Sequence, residues 1–206
     1  TRVEGKKLIM GKEGKWNDWN WGDDDEIVAY VTVPKLEAAS VSGSGDLIGQ
    51  NKFTADDIEL NVSGSGSLII DVDASGDMDA DVSGSGGIEV KGKARSFSSD
   101  VSGSGKVDMA VIITENADFA ISGSGKIEAS GSADRVSATI SGSGKVLGAD
   151  LQVNRCNVQI SGSGDVEINV KNELDATISG SGTVSYKGNP NKVNSNASGS
   201  GKLRKF

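Results

Sequence analysis

The chain has 206 residues, of which 35% are apolar and 4% aromatic, and it contains no histidine and one cysteine, Cys156. The net charge of −8 at pH 7 disfavours nucleic acid and anionic membrane surfaces as partners, because both repel an acidic protein. The missing histidine excludes a Ser-His-Asp or Cys-His catalytic site in its usual form, and a single cysteine cannot form an intrachain disulfide.

The N-terminal 40 residues differ in pattern from the rest of the chain. Val3 to Met10 predicts a short strand, and Glu26 to Val33 alternates between two faces with β-branched residues, which also predicts a strand. Pro34 follows directly and cannot donate a backbone hydrogen bond, so it should end that strand. No apolar stretch reaches the length of a membrane span.

The segment between these two predicted strands carries all three tryptophans, Trp16, Trp19 and Trp21, followed by three aspartates. We expect a long loop, for which two interpretations stay open. The favoured one is a hydrophobic cap over the first turn of a repeat structure. The other is a ligand-binding surface for a glycan or protein, because indole offers a flat apolar face and one hydrogen-bond donor.

From about residue 40 onward the chain is organised by the tetrapeptide Ser-Gly-Ser-Gly. The motif occurs nine times, at intervals of 18 to 21 residues, starting at Ser42, Ser63, Ser83, Ser102, Ser122, Ser141, Ser161, Ser179 and Ser198. Self-similarity with this period is typical of a solenoid, in which each turn buries its apolar face against its neighbours.

The positions flanking the motif are apolar in every copy. The residue before the motif is Val, Ile or Ala, and the second residue after it is Val, Ile or Leu, with further apolar residues at steps of two. This period of two predicts strands with one buried and one exposed face. Glycine suits a tight turn between two sheets, and the serine hydroxyls are expected to form polar ladders along it. Variable Asn-, Asp- and Gly-rich segments, such as those at 74–77 and 187–191, predict a second turn in each repeat.

The predicted fold is therefore all-β, a two-sheet solenoid with rungs of about 20 residues. We expect a single domain over residues 1–206, in which residues 1–40 hold the N-terminal strands and the Trp-rich loop and residues 41–206 hold the repeat array. The terminal rungs of such an array invite self-association, so a homo-oligomer is a further expectation.

The charged residues predict solvated ladders and no cofactor. Lysines at 106, 126 and 145 should point outward beside an acidic stripe and be neutralised by it. The aspartates between 71 and 81 form the densest acidic cluster, but their spacing does not match known calcium repeats, so no metal site is predicted. Cys156 is expected to be an inert thiol, although its orientation is left open. No catalytic residues are predicted.

The run DEIVAYVTVPKLEAASVSGSGDL, followed by eight further SGSG copies, resembles the bacterial family called putative auto-transporter adhesin, head GIN domain. The resemblance implies a right-handed β-helix-like fold with Gly-Ser-Gly tight turns. It also implies export to the periplasm, outer-membrane surface or extracellular space of Gram-negative gut bacteria, and a role in adhesion to a host or matrix glycan or protein.

Three functional hypotheses follow from the sequence and the resemblance. The first is a non-enzymatic adhesin at the cell surface or in the periplasm, with Trp16, Trp19 and Trp21 as candidate ligand-binding residues. The second is a polysaccharide-active enzyme, which would need a groove lined by a carboxylate pair. The third is a purely structural or oligomer-forming module.

Overall fold

The computed structural model describes residues 1–5, 7–11 and 28–206, and it divides into two compact units, Thr1–Val33 and Pro34–Phe206. In the first unit, strand β1 (Arg2–Glu4) pairs antiparallel with β2 (Lys7–Ile9). The predicted single strand over Val3–Met10 is thus a small hairpin, and Gly5 lies after β1 with a φ of 61°.

The predicted strand from Glu26 to Val33 is wrong over the part that the structure describes. Residues 28–33 have no regular secondary structure, and Tyr30 is 90% exposed. A segment with alternating side chains forms a strand only when a neighbouring strand pairs with its backbone and another layer of the protein covers one of its faces. Residues 28–33 have neither feature, and the remaining residues of the prediction lie outside the described ranges.

The second unit is a solenoid of about nine turns in which the strands before and after each motif form two parallel stacks, joined through three long strands. We call the strands that end at the motif sheet A and the strands that follow it sheet B. Sheet A contains β3 (Ala38–Gly43), β5 (Ile58–Gly64), β7 (Asp77–Gly84), β9 (Ser96–Gly103), β11 (Asn116–Gly123) and β16 (Lys192–Gly199). Sheet B contains β4 (Asp46–Ala55), β6 (Ser67–Ala74), β8 (Gly87–Ala94), β10 (Lys106–Ile113), β15 (Thr183–Lys187) and β17 (Lys202–Lys205). Three long strands contribute their first half to sheet B and their second half to sheet A: β12 (Lys126–Gly142), β13 (Lys145–Gly162) and β14 (Asp165–Gly180).

The motif is in register from rung to rung. Ser63 pairs with Ser42 on one side and Ser83 on the other, and the same alignment continues to Ser198. The predicted array of stacked rungs, with one motif corner per rung, is therefore confirmed.

The core lies between the two sheets and is filled by the inward-facing apolar columns. Leu60, Leu68, Val90 and Met109 are completely buried, as the period of two predicts. The exceptions are in the first and last rungs, where Leu47 and Leu203 are half-buried and Ala197 is exposed, because those rungs pair on one side only in this structure.

Three residues show how the core tolerates departures from aliphatic side chains. The rings of Phe97 and Phe119 pack edge to face, with centroids 6.3 Å apart. Ser99 follows Phe97 by two residues on the same strand and is the register partner of Phe119. It is buried, and its hydroxyl donates a hydrogen bond to the carbonyl of Ala80 at 2.8 Å. The bond offsets the cost of burying a hydroxyl.

The motif corner is stabilised by its backbone. At one representative corner, Ser85 and Gly86 both donate backbone hydrogen bonds to the carbonyl of Gly64 at 2.9 Å, and Gly87 donates to Gly66 at 3.1 Å. Gly84 has a φ of 118°, and an added Cβ there would lie 2.6 Å from the Gly64 carbonyl oxygen. The hydrogen bonds described at this corner run from backbone to backbone, and the hydroxyl ladder expected from the serines stays a prediction.

Candidate functional sites

The tryptophan residues singled out by the sequence, Trp16, Trp19 and Trp21, lie outside the described ranges. Their proposed role in ligand binding or capping therefore stays a prediction. The candidate sites described below all belong to the solenoid unit, residues 34–206.

The predicted charge ladder lies on the outer face of sheet B. Glu128 forms ion pairs with Lys106 and Lys126, each at 2.7 Å, and Lys106 also forms one with Asp108 at 3.2 Å. Lys145 pairs with Asp165 at 3.2 Å in the next rung. The pKa of Lys106 is raised, chiefly by its hydrogen bond to Glu128, and the two lysines lower the pKa of that glutamate. The prediction of a self-neutralised stripe is confirmed.

The acidic cluster between residues 71 and 81 is divided between the two sheets. Asp71 and Asp73 lie on sheet B, where Lys52 lies 2.9 Å from the Asp73 carboxylate. The remaining three, Asp77, Asp79 and Asp81, lie on the outer face of sheet A. Partial burial raises the pKa of Asp79, and the nearby charges of Asp81 and Asp77 raise it further. The cluster is therefore two separate acidic surfaces.

No metal or thiol chemistry is assembled within the described ranges. Residues 1–5, 7–11 and 28–206 contain no group of three or more Asp, Glu or Cys side chains placed to hold one metal ion. Cys156 points into the core, in register with Val136 and Leu174, and burial raises the pKa of its thiol to about 12. The orientation that the sequence left open is thus inward, where a thiolate is strongly disfavoured.

One surface depression lies on the outer face of sheet B, beside a β-bulge. Between Gly148 and Gln152 the pairing register of β13 shifts, which places Ala149 and Asp150 out of the regular alternation. The depression has a volume of about 360 Å³, and its rim carries Asp108, Glu128, Asp150 and Glu167. It is open and mostly acidic, and Lys187 lies 3.5 Å from the Asp150 carboxylate.

A second depression, of about 270 Å³, lies on the outer face of sheet A near the variable corner. Its most notable members are Arg135 and Arg155, which are direct register partners on adjacent rungs. The carboxylate of Asp134 lies 3.7 Å from the first guanidinium and 3.6 Å from the second. A hydrogen bond from Asn154 and the two arginines lower the pKa of Asp134. We call Arg135 and Arg155 the arginine pair.

The arginine pair is not among the residues predicted from the sequence, although the sequence carries a signal for it. Each arginine lies six residues before the first serine of its motif, at Ser141 and Ser161. A residue at that offset faces outward, by the same alternation that places the core residues inward. The two arginines were missed because outward positions were compared between repeats only directly after the motif.

No helix in the described residues is long and apolar enough to span a membrane. The polar groups just described lie on the outer faces of a β-solenoid with a filled core, and the two depressions are surface features.

Comparison with known proteins places the chain in a family. The family model described as putative auto-transporter adhesin, head GIN domain matches residues 1–129 and 109–190. The crystal structure of a putative lipid binding protein from Parabacteroides distasonis ATCC 8503 is similar, with a TM-score of 0.66 and 31% sequence identity. The match covers 73% of this chain and 61% of that chain, so the chain spans about three fifths of the length of its solved relative. The comparison with curated proteins gives no match.

The resemblance expected from the motif register is therefore confirmed, and the chain belongs to the putative auto-transporter adhesin, head GIN domain family.

Proposed function

We propose that this protein is a non-enzymatic adhesion module, exported to the periplasm or cell surface, that binds a glycan or protein through its outer faces. The family name supports this proposal because it describes an adhesin domain. The observation that carries it is the filled core. The inward-facing side chains of both sheets are almost completely buried, so the groups that remain available to a ligand are those on the outer faces and corners.

The arrangement suits binding better than catalysis. A general acid needs a pKa raised towards neutrality and a pocket that holds the substrate against it. Asp79 has a raised pKa, but it is not among the residues lining either depression described above. The carboxylate of Asp134, next to the arginine pair, has a lowered pKa, which is the wrong direction for an acid.

The experiment is a binding screen of the whole chain against glycans and matrix proteins. Wild type is compared with Trp16→Ala/Trp19→Ala/Trp21→Ala, and the matched control is Tyr30→Ala/Phe206→Ala, which removes two exposed aromatic rings elsewhere. We expect wild type and the control to bind and the tryptophan variant to bind more weakly, because indole faces stack on sugars and anchor interfaces.

The outcomes separate the parts of the proposal. If wild type binds no glycan and no matrix protein, the adhesion proposal is wrong. If wild type and the tryptophan variant bind equally, adhesion stands and the tryptophan assignment is wrong. Liposomes belong in the same screen, because the solved relative is titled a lipid binding protein. Here an acyl chain would have to bind outside the filled core.

The other two hypotheses have their own measurements. Shortening of any bound polysaccharide during incubation would support the enzyme alternative and contradict a non-enzymatic module. A concentration-dependent increase in mass by light scattering would support the oligomer alternative, and a monomer at all concentrations would contradict it.

A further inference from the structure

The arginine pair differs from the other stacked cations of the solenoid in how its charge is balanced. In the lysine ladder of sheet B, Glu128 lies between two lysines at 2.7 Å from each. The side-chain hydrogen bonds and ion pairs of the arginine pair within residues 28–206 are all 3.5 Å or longer: 3.5 Å from Arg135 to Asn116, and 3.6 to 3.7 Å from both arginines to Asp134.

Two like charges directly opposite each other on adjacent strands destabilise a sheet unless an anion lies between them. Each guanidinium carries five N–H donors in a planar fork, which matches the two oxygens of a carboxylate. Asp134 supplies one carboxylate for two arginines, and a hydrogen bond from Asn154 at 2.8 Å already occupies one of its oxygens. Most of the ten donors of the pair are therefore left to solvent or a ligand.

Three of the other residues lining the depression supply neutral polar groups at the same rung spacing, beside three acidic residues. Ser137 and Asn157 are register partners one column away from the arginines, and Asn116 precedes Arg135 in the arginine column. On the next rung Glu173 is the register partner of Arg155, but its charge is balanced by an ion pair with Lys192. Asp175 keeps its charge and accepts a hydrogen bond from Asn194. Hydroxyl and amide groups of this kind bind sugar hydroxyls through hydrogen bonds.

We propose that this depression binds a saccharide that carries a carboxylate, that is, a uronic acid residue of an acidic glycan. The carboxylate lies across Arg135 and Arg155, and the ring hydroxyls bond to Ser137, Asn157 and Asn116. A polyphosphate chain fits less well, because it has no hydroxyl groups for Ser137, Asn157 and Asn116 to bond and because the charge on its every unit would meet Asp118 and Asp175, which also line the depression. This inference rests on the proposed adhesion function and names the ligand class for one surface.

The test is calorimetric titration of the whole chain with two probes, a galacturonic acid tetrasaccharide and a hyaluronan tetrasaccharide, whose acid is glucuronic. The methyl ester of the first probe keeps the hydroxyls and removes the charge. We expect at least one acidic probe to bind wild type and the ester to bind at least about tenfold more weakly, since charge-assisted bidentate pairs are the stronger contacts.

The variants are Arg135→Gln/Arg155→Gln and, as a matched control, Arg95→Gln. Arg95 lies near the same corner but already pairs with Asp77 at 2.8 Å, so its removal should leave binding unchanged. The double variant should lose binding by about tenfold or more. Arg135→Lys/Arg155→Lys keeps the charge but removes the planar fork, and it should fall between the two. Equal melting temperatures of the variants show that a loss of binding does not come from unfolding.

Four results would overturn the inference: no binding of either acidic probe, equal binding of acid and ester, unchanged binding in the double glutamine variant, or an equal loss in Arg95→Gln. None of these results affects the adhesion proposal if the broader screen finds another glycan or protein. If the screen finds no ligand of any kind, the adhesion proposal fails independently of the arginine pair.

Discussion

The corner glycines provide a sharp test of how the rungs are joined, because two adjacent glycines differ in what a methyl group would contact. At Gly86 an added Cβ would lie 2.4 Å from the carbonyl oxygen of Gly66 and 2.6 Å from the Cγ1 of Val62. At Gly87 the nearest atom would be the carbonyl oxygen of Lys106 at 3.5 Å, which is an ordinary contact. Gly86→Ala and Gly87→Ala are therefore a matched pair.

The expected cost of Gly86→Ala has two parts. Overpacking against fixed neighbours costs about 1–3 kcal/mol. The Gly66 carbonyl also accepts the backbone hydrogen bond of Gly87 at 3.1 Å, and displacing it forfeits about 0.5–1.5 kcal/mol. We expect Gly86→Ala to lower the free energy of unfolding by about 2–4 kcal/mol in total. Gly87→Ala should raise it by up to about 1 kcal/mol, because alanine loses less backbone entropy in a strand.

The measurement is urea unfolding followed by circular dichroism, with wild type and both variants at the same protein concentration. A change in midpoint without a change in slope reports stability alone. The interpretation of the corner is refuted if Gly86→Ala stays within about 0.5 kcal/mol of wild type, or if Gly87→Ala loses as much as Gly86→Ala.

Two further predictions follow from the pKa shifts. Asp79→Asn should stabilise the protein by a few tenths of a kcal/mol at pH 7, because burial and Asp81 raise the pKa of Asp79 above 3.8 and thereby disfavour its charged form. The destabilisation by the charged Asp79 carboxylate is absent below pH 3.8 and appears as the pH rises through the raised pKa. The difference in melting temperature between Asp79→Asn and wild type should therefore vanish at low pH. The control is Asp118→Asn, because the register partners of Asp118 are the uncharged Ser98 and Ser137. Cys156 should react with a disulfide reagent at pH 8 at least about 10³ times more slowly than free cysteine, because a pKa of about 12 leaves little thiolate, and equal rates in the native and urea-unfolded protein would contradict its burial.

The fold could be predicted from the sequence because the repeat presents the same evidence nine times. The apolar residues at Val62, Val82 and Val101 keep one parity relative to the motif, and an error of one residue would turn every side chain to the wrong face. The segment at residues 28–33 alternates equally well but occurs only once. Its alternation alone does not show which strand, if any, would pair with it. That difference explains why one prediction is confirmed and the other is wrong.

The candidate site was less predictable, because it depends on which rungs lie side by side at the variable corner. Rung lengths vary from 18 to 21 residues, so spacing along the chain does not directly align Arg135 with Arg155. Their offset from the motif does align them, once the motif is known to stay in register. The β-bulge near Ala149 had no such signal, because its register shift is a local departure from the pattern.

The regular core also explains how the outer face of sheet A can carry different charges at different rungs. Inward columns and motif corners hold the backbone in place, so outward positions can vary without changing the register. Asp79 and Asp81 make the third rung of sheet A acidic, and the arginine pair lies further along the same face. An anionic saccharide would be repelled by the Asp79 and Asp81 carboxylates and attracted to the arginine pair. Interactions between exposed charges more than about 10 Å apart are largely screened at 0.1 M salt. Uronate binding should therefore weaken with added salt in wild type, whereas neutralising Asp79 should strengthen it at low salt without altering the contacts of the arginine pair.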